Sequence, residues 1–380
     1  PLYSSAASDV YKRQIRYGKT MQCVSGVHFN FSLTDNSLAI ISGSNAQQDI
    51  DKAYLGLIRN FKRLFWFVLC EFGHSSVIDK SFVDGRDNDL EPLNDSDLFK
   101  KGATSLRMSE IGYQSKAQKN LNIKYNDLDE FLDEVKSAIT TPYPEFENLG
   151  LKDSEGEFHQ ISSGILQIEN ELYDCIRPKR AGSSGERPYE LLKKEGIKYL
   201  EVRGIDLDPE DLAGISKDKI LLLDLIMLYC AIKPSSLMSD EEKSVIESND
   251  IATIKSGRLP ETIISYKDQP TTIAESRIDV IKDLMQIAAA MNDPKYIEVV
   301  SSINTKVNIF NPDKSFHNLG LEKARENSLV LKSNMEIDTH KFKEEAEASL
   351  LKFKKIQATA NFDKIDELSL IHISEPTRRR

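Results

Sequence analysis

The stretch KYLEVRGIDL, residues 198–207, alternates strictly. Tyr199, Glu201 and Arg203 share one face, and Leu200 and Val202 share the other. A period of two is the signature of a strand with one apolar side. Side chains at i and i+2 of a strand stand roughly 7 Å apart on one face. A carboxylate and a guanidinium are therefore set side by side. MQCVSGVHFNFSL, residues 21–33, reads the same way. Val27, Phe29, Phe31 and Leu33 form its apolar back, and His28, Asn30 and Ser32 its polar front. A third alternation, GILQIENELY at 164–173, predicts another strand, with Leu166, Ile168 and Leu172 opposite Gln167, Glu169, Glu171 and Tyr173.

Helical spacing fills the intervals. Leu55, Ile58, Phe61, Phe65 and Leu69 predict a helix over 51–70. Asn126 is a candidate cap for a helix carrying Leu128, Phe131, Leu132, Val135 and Ile139, with an acidic first turn. Residues 84–97, DGRDNDLEPLNDSD, read as a surface loop, and 176–188, IRPKRAGSSGERP, as a basic Gly/Ser-rich loop. Beyond residue 217 the chain reads as mainly helical, over 218–232, 271–291 and 341–356. Strands interrupted by helices, then helices, predict an α+β fold on an antiparallel sheet. Neither GxGxxG nor GxxxxGK[ST] occurs.

The chain has 380 residues, a net charge of −10 and 40% hydrophobic residues. That balance suits a folded core and argues against nucleic acid or an anionic membrane surface as partner. Cys23, Cys70, Cys175 and Cys230 are scattered without a CxxC pair, as expected of reduced thiols. Apolar runs such as LFWFVLC are too short to span a bilayer, and no signal peptide is visible, so the cytoplasm is the expected location.

The two ends look foreign. One codon choice for Val10, Tyr11, Lys12, Arg13 and Gln14 is the reverse complement of one for Leu368, Ser369, Leu370, Ile371 and His372. Residues 1–14 and 368–380 are accordingly expected to be adapter-derived, flanking a partial catalytic domain over 15–367. Without Lys12, Arg13, Arg378, Arg379, Arg380, Asp9 and Glu375 the net charge falls from −10 to −13.

Four groupings could carry chemistry. Glu201 and Arg203 can serve one metal–phosphate assembly, the carboxylate on the metal and the guanidinium on phosphate oxygens. An exposed ion pair on a sheet reads identically from sequence. His28 and Asn30 form a polar front that is either a ligand site or a half-solvated face. Arg177, Lys179 and Arg180 flank a Gly/Ser-rich loop, which suits a phosphate-bearing ligand or a plain basic loop. In TSLRMSEIGYQSK, residues 104–116, Arg107 and Tyr113 could clamp a small carboxylate.

Taken in order, RYGKTMQCVSGVHFNFSL, ATSLRMSEIGYQSKAQKNL, LQIENELYDCIRPKR, SGERP and KYLEVRGIDLDP closely resemble the proteobacterial type of glutamate–cysteine ligase. SGRLP, residues 256–260, and LLLDLIMLYCAI fit as well. The resemblance covers about residues 15–360. It implies a glutamine-synthetase-like antiparallel sheet funnel with packed helices, incomplete at the N-terminus. It also implies an ATP-dependent ligase joining L-glutamate to L-cysteine through a γ-glutamyl phosphate, the first step of glutathione synthesis. By motif, His28 and Glu201 resemble Mg²⁺ ligands, with Mn²⁺ as an alternative ion. Arg203 resembles the phosphate-contacting catalytic arginine, and Arg177 and Lys179 also fall to ATP. Gln22, Tyr113 and Tyr173 fall in the cysteine pocket, and Arg107 holds substrate carboxylate.

The family's Glu-x-Glu strand and the Tyr-Arg pair expected ahead of residue 15 do not occur here. The chain as it stands is therefore expected to be inactive. The oligomeric state is left open, with a monomer compatible. The alternative reading is a non-catalytic nucleotide- or small-molecule-binding protein on the same scaffold. A metal-dependent amide hydrolase would use the same metals without ATP.

Overall fold

A computed structural model describes residues 12–310, apart from 19, 113–114, 155, 157, 159, 183–185 and 306, with a few isolated positions beyond. After a short helical segment, α1 (residues 12–17), the chain enters strand β1 (Val27–Phe31) and helix α2 (Asp35–Ser42). Helix α3 (Gln47–Phe72) follows and is the centre of the molecule. Its Tyr54, Ile58, Phe61, Trp66 and Phe67 are each at most 1% exposed, so it is buried on every side rather than along one stripe. One side packs on the sheet, and the others on α7 (Lys217–Ile232) and α8 (Asp240–Ser256). Each fully buried aromatic or leucine on this helix contributes about 1.5–3 kcal/mol.

The main sheet is antiparallel, in the order β1-β6-β5, with β5 (Ile176–Lys179) and β6 (Tyr199–Ile205). The alternation of β6 holds: Leu200 and Val202 are fully buried against α3. β1 presents His28 and Asn30 outward while Phe29 and Phe31 pack on the core. Two smaller sheets are β2-β4-β3 (Val77–Asp79, Asp97–Phe99, Glu91–Pro92) and the hairpin β7-β8 (Ile263–Tyr266, Gln269–Thr272). Helices α4 (Leu128–Thr140), α5 (Pro144–Leu149) and α6 (Pro188–Glu195) lie between the strands in sequence. Helices α9 (Ile273–Met291) and α10 (Pro294–Thr305) pack against each other and against α7. The cysteines form no disulfide. Among the described residues, no helix is long and apolar enough to cross a membrane.

The C-terminus of α3 is stapled by cations, which its exposed carbonyls favour. Arg258, from SGRLP, donates to Cys70 O at 2.6 Å and to Gly73 O at 2.5 Å. Lys219 donates to Glu71 O, and Arg277 Nε donates to the buried Glu71 carboxylate at 2.5 Å.

Four sequence expectations change. Residues 164–173 are not a strand. Gln167 N and Nε2 donate to Glu171 Oε2 and Oε1 at 2.9 and 2.7 Å, and the chain turns through a 3-10 helix at Glu169–Glu171. A local side-chain-to-backbone bond competes here with a sheet ladder. The basic stretch from residue 176 is not all loop. It begins as β5, an edge strand of the main sheet that tolerates Pro178. The polar stretch 84–97 contains β3 and the start of β4. Helix α4 is capped by Asp127, which accepts from Asp129 N and Glu130 N, and not by Asn126. Asn126 instead exchanges two hydrogen bonds with the Met238 backbone. The expected helix over 341–356 lies outside the described residues except at isolated positions.

Candidate functional site

The site is built on a bulge in β6. Arg203 N and Gly204 N both donate to Cys175 O, at 2.7 and 3.2 Å. The register against β1 shifts between Val27 and Phe29 at the same level. Two residues thus oppose one, and a bulge of this kind re-aims the side chains around it. Gly204 is required here because a Cβ would lie 2.3 Å from the Phe65 ring of α3.

Glu201 becomes the hub of the polar front. Its Oε2 accepts from Arg203 Nη1 at 2.8 Å and from Arg177 Nη2 at 3.0 Å, with Lys179 Nζ at 3.7 Å. The cross-strand register explains this: Asn30 and Arg177 are the residues directly opposite Glu201 on its two neighbours. Arg177 is also tied to Leu172 O and Asn170 O, which fixes its reach. Burial opposes the charge on Glu201, but Lys179, Arg177 and Arg203 outweigh it and hold the carboxyl at about 2. Three cations thus converge on this one carboxylate.

His28 Nδ1 lies 3.9 Å from Glu201 Oε1, too far for a hydrogen bond. Burial and the neighbouring Arg203 push the imidazole down to about 4, despite Glu201. It is therefore neutral near pH 7 and keeps a lone pair for a ligand. An ionised carboxylate oxygen facing a neutral imidazole is one edge of a cation site. Among the described residues, no third His, Cys, Asp or Glu joins them.

Arg107 enters from below, on a 3-10 turn at Leu106–Met108. Its Nε donates to Asp206 Oδ1 at 2.6 Å and its Nη2 to Arg203 O at 3.2 Å. Gly26 makes room: a Cβ there would stand 2.7 Å from Arg107 Cζ. Tyr173 sits beside Leu172, whose carbonyl holds Arg177, and meets Tyr17 edge-on with ring centroids 5.9 Å apart. His28, Arg107, Arg177, Lys179, Glu201 and Arg203 thus come together from β1, the 105–108 turn, β5 and β6. Arg180 does not join them, since its Nε pairs with Glu195 at 3.1 Å. Tyr113 and the side chain of Gln22 lie outside the described residues.

Sequence reasoning missed the supporting residues. Asp206 is 3% exposed and Glu171 is fully buried. Glu171 Oε2 accepts from Tyr17 Oη at 3.1 Å and from Arg16 Nη1 at 3.3 Å, more than 150 residues away in the chain. Nothing local to either acid signals such partners.

A family model for glutamate–cysteine ligase matches residues 4–252. Curated glutamate–cysteine ligases match at similar levels. That of Pseudomonas savastanoi pv. phaseolicola is 38% identical over 76% of this chain and 56% of its own length. That of Pseudomonas paraeruginosa is 39% identical over 74% and 55%. The chain spans about half the length of the curated relatives it matches. A crystal structure of glutamate–cysteine ligase from Francisella tularensis in complex with AMP superposes with a TM-score of 0.82 at 27% identity, covering 98% of this chain and 78% of that one. A bifunctional glutathione synthetase from Pasteurella multocida, at 20% identity and a TM-score of 0.57, shares the fold. With a family model over most of the chain, and these relatives beside it, the chain belongs to the glutamate–cysteine ligase family.

Proposed function

We propose that this chain serves ATP-dependent joining of the L-glutamate γ-carboxylate to the amine of L-cysteine, through a γ-glutamyl phosphate. The observation that carries the reading is the convergence of Arg177, Lys179 and Arg203 on the single carboxylate of Glu201. A carboxylate is a poor electrophile, and phosphorylation gives it a leaving group. Positioning and charge stabilisation do most of the work in such a transfer. Arg203 and Arg177 have the planar donors that suit phosphoryl oxygens, and Lys179 adds a point charge. Arg107 would hold a substrate carboxylate, and Tyr173, with Gln22 and Tyr113, would line the cysteine pocket. The AMP bound to the Francisella relative supports nucleotide binding in this family.

The donor set fits Mg²⁺ in part. Glu201 Oε1 and the neutral His28 would hold it, with water and phosphate oxygens completing the shell. When bound, the ion would neutralise charge on the transferring phosphoryl group. With Glu201 and His28 joined by no third His, Cys, Asp or Glu among the described residues, the chain as it stands is expected to be inactive.

The test is release of phosphate and γ-glutamylcysteine by the 380-residue chain. Turnover near that of an intact family member is not expected, and any product formed should require ATP, L-glutamate and L-cysteine together and be lost in E201Q. Product without ATP would contradict the reading and favour amide hydrolysis. Turnover matching an intact family member would contradict the expectation of inactivity. The thin donor set also favours a second reading, nucleotide binding without catalysis. In that case E201Q leaves nucleotide binding intact and there is no turnover to lose.

A further inference from the structure

Asp206 accepts from five donors among the described residues, and their distribution is asymmetric. Its Oδ2 takes His74 N at 2.9 Å, Ser75 N at 3.1 Å and Ser75 Oγ at 2.7 Å. Its Oδ1 takes Ser105 Oγ at 3.0 Å and Arg107 Nε at 2.6 Å. The donors come from the segment after α3 and from the turn carrying Arg107. The first of these follows the helix end that Arg258 caps.

We propose that Asp206 is the positioning residue for Arg107. This rests on the reading that Arg107 binds a substrate carboxylate. The reason is lone-pair capacity: a carboxylate offers about four acceptor sites. Oδ2 already has three donors crowded onto its two lone pairs, which leaves no place for a guanidinium N–H. The usual two-pronged embrace, which would occupy a terminal nitrogen as well, is thereby blocked. Asp206 grips Arg107 by Nε alone. Nη2 is turned onto Arg203 O, and Nη1 stays beside Gly26, where a Cβ would stand 2.8 Å from it. A fixed guanidinium loses little freedom when it takes a ligand carboxylate. The Arg203 carbonyl also couples its place to the bulge that aims Arg203.

The test uses the whole chain with ¹⁵N-labelled arginine. R107K assigns the Arg107 Nε–H resonance, which a buried pair keeps slow to exchange. In Asp206→Asn the expected result is loss of that slow signal and binding of L-glutamate weakened about tenfold or more. AMP binding stays within about twofold, a contrast that general destabilisation would not give. An unchanged Nε–H signal in D206N, or L-glutamate binding lost in R107K but kept in D206N, would overturn the proposal. If R107K does not alter L-glutamate binding while D206N still releases the signal, the substrate reading of Arg107 fails and the pairing stands. Should D206N not fold, S105A removes one donor from the same oxygen and keeps the charge. It is expected to shift the Nε–H signal and weaken L-glutamate binding by a smaller factor, and no change in either would overturn the proposal.

Discussion

Glu201 and His28 face each other on adjacent strands, and both have lowered pKa values, which leaves one charged and the other neutral. Lys179, Arg177 and Arg203 keep Glu201 ionised, while burial and then Arg203 keep His28 neutral. A depressed carboxyl pKa contributes stability that is present above its unfolded value and lost as pH falls through about 2, so this cluster stays charged across the physiological range. A depressed histidine works the other way. The folded state resists its proton, so stability falls as pH drops from 6.5 towards about 4. An NMR titration of the His28 ring is expected to show a midpoint near 4. A midpoint at 6.5 or above would mean that neither burial nor the cations act on it as the structure implies. Removing the Glu201 charge should leave three cations repelling one another. E201Q is expected to cost about 2 kcal/mol in urea unfolding, below the range for a fully buried pair because Glu201 is partly solvated. An unchanged midpoint would contradict the geometry.

The elements bring these residues together through close approaches that only glycine permits. Gly204 lets α3 press its Phe65 ring against the bulge. G204A is expected to cost about 1–3 kcal/mol by overpacking. Pairing it with F65L should recover part of the loss, as neighbours in contact are not additive. Full additivity in denaturant melts would show that the ring is not the obstacle. The same elements mark what the sequence could reveal. β1, β6, α3, α4 and α9 were legible because their apolar residues repeat at two or 3.6, and α7 because its apolar run is nearly unbroken. The front of β6 was legible for the same reason, since parity alone puts Glu201 beside Arg203. β5 was not, because Pro178 and two cations disguise four residues as a loop. The 164–173 stretch misled because Glu171 satisfies its own neighbour's backbone instead of a ladder. Asp206 and Glu171 were invisible because their partners are remote in sequence. The family resemblance singled out the six residues that converge, whereas spacing alone left each with an ordinary alternative.

At the scale of the molecule, a helix buried on all sides separates a three-stranded sheet from a helical layer, and the sheet's outer face collects positive charge in a chain that is −10 overall. Such a face should draw a phosphate-bearing ligand against the net charge, and salt should weaken that attraction. The most direct measurement is calorimetric binding of ATP and of adenosine to the same chain, alongside R203Q and R177Q. The account predicts that ATP binds more tightly than adenosine, that the difference shrinks with added salt, and that each substitution removes most of it. Equal binding of ATP and adenosine, or an ATP affinity indifferent to both arginines, would contradict it.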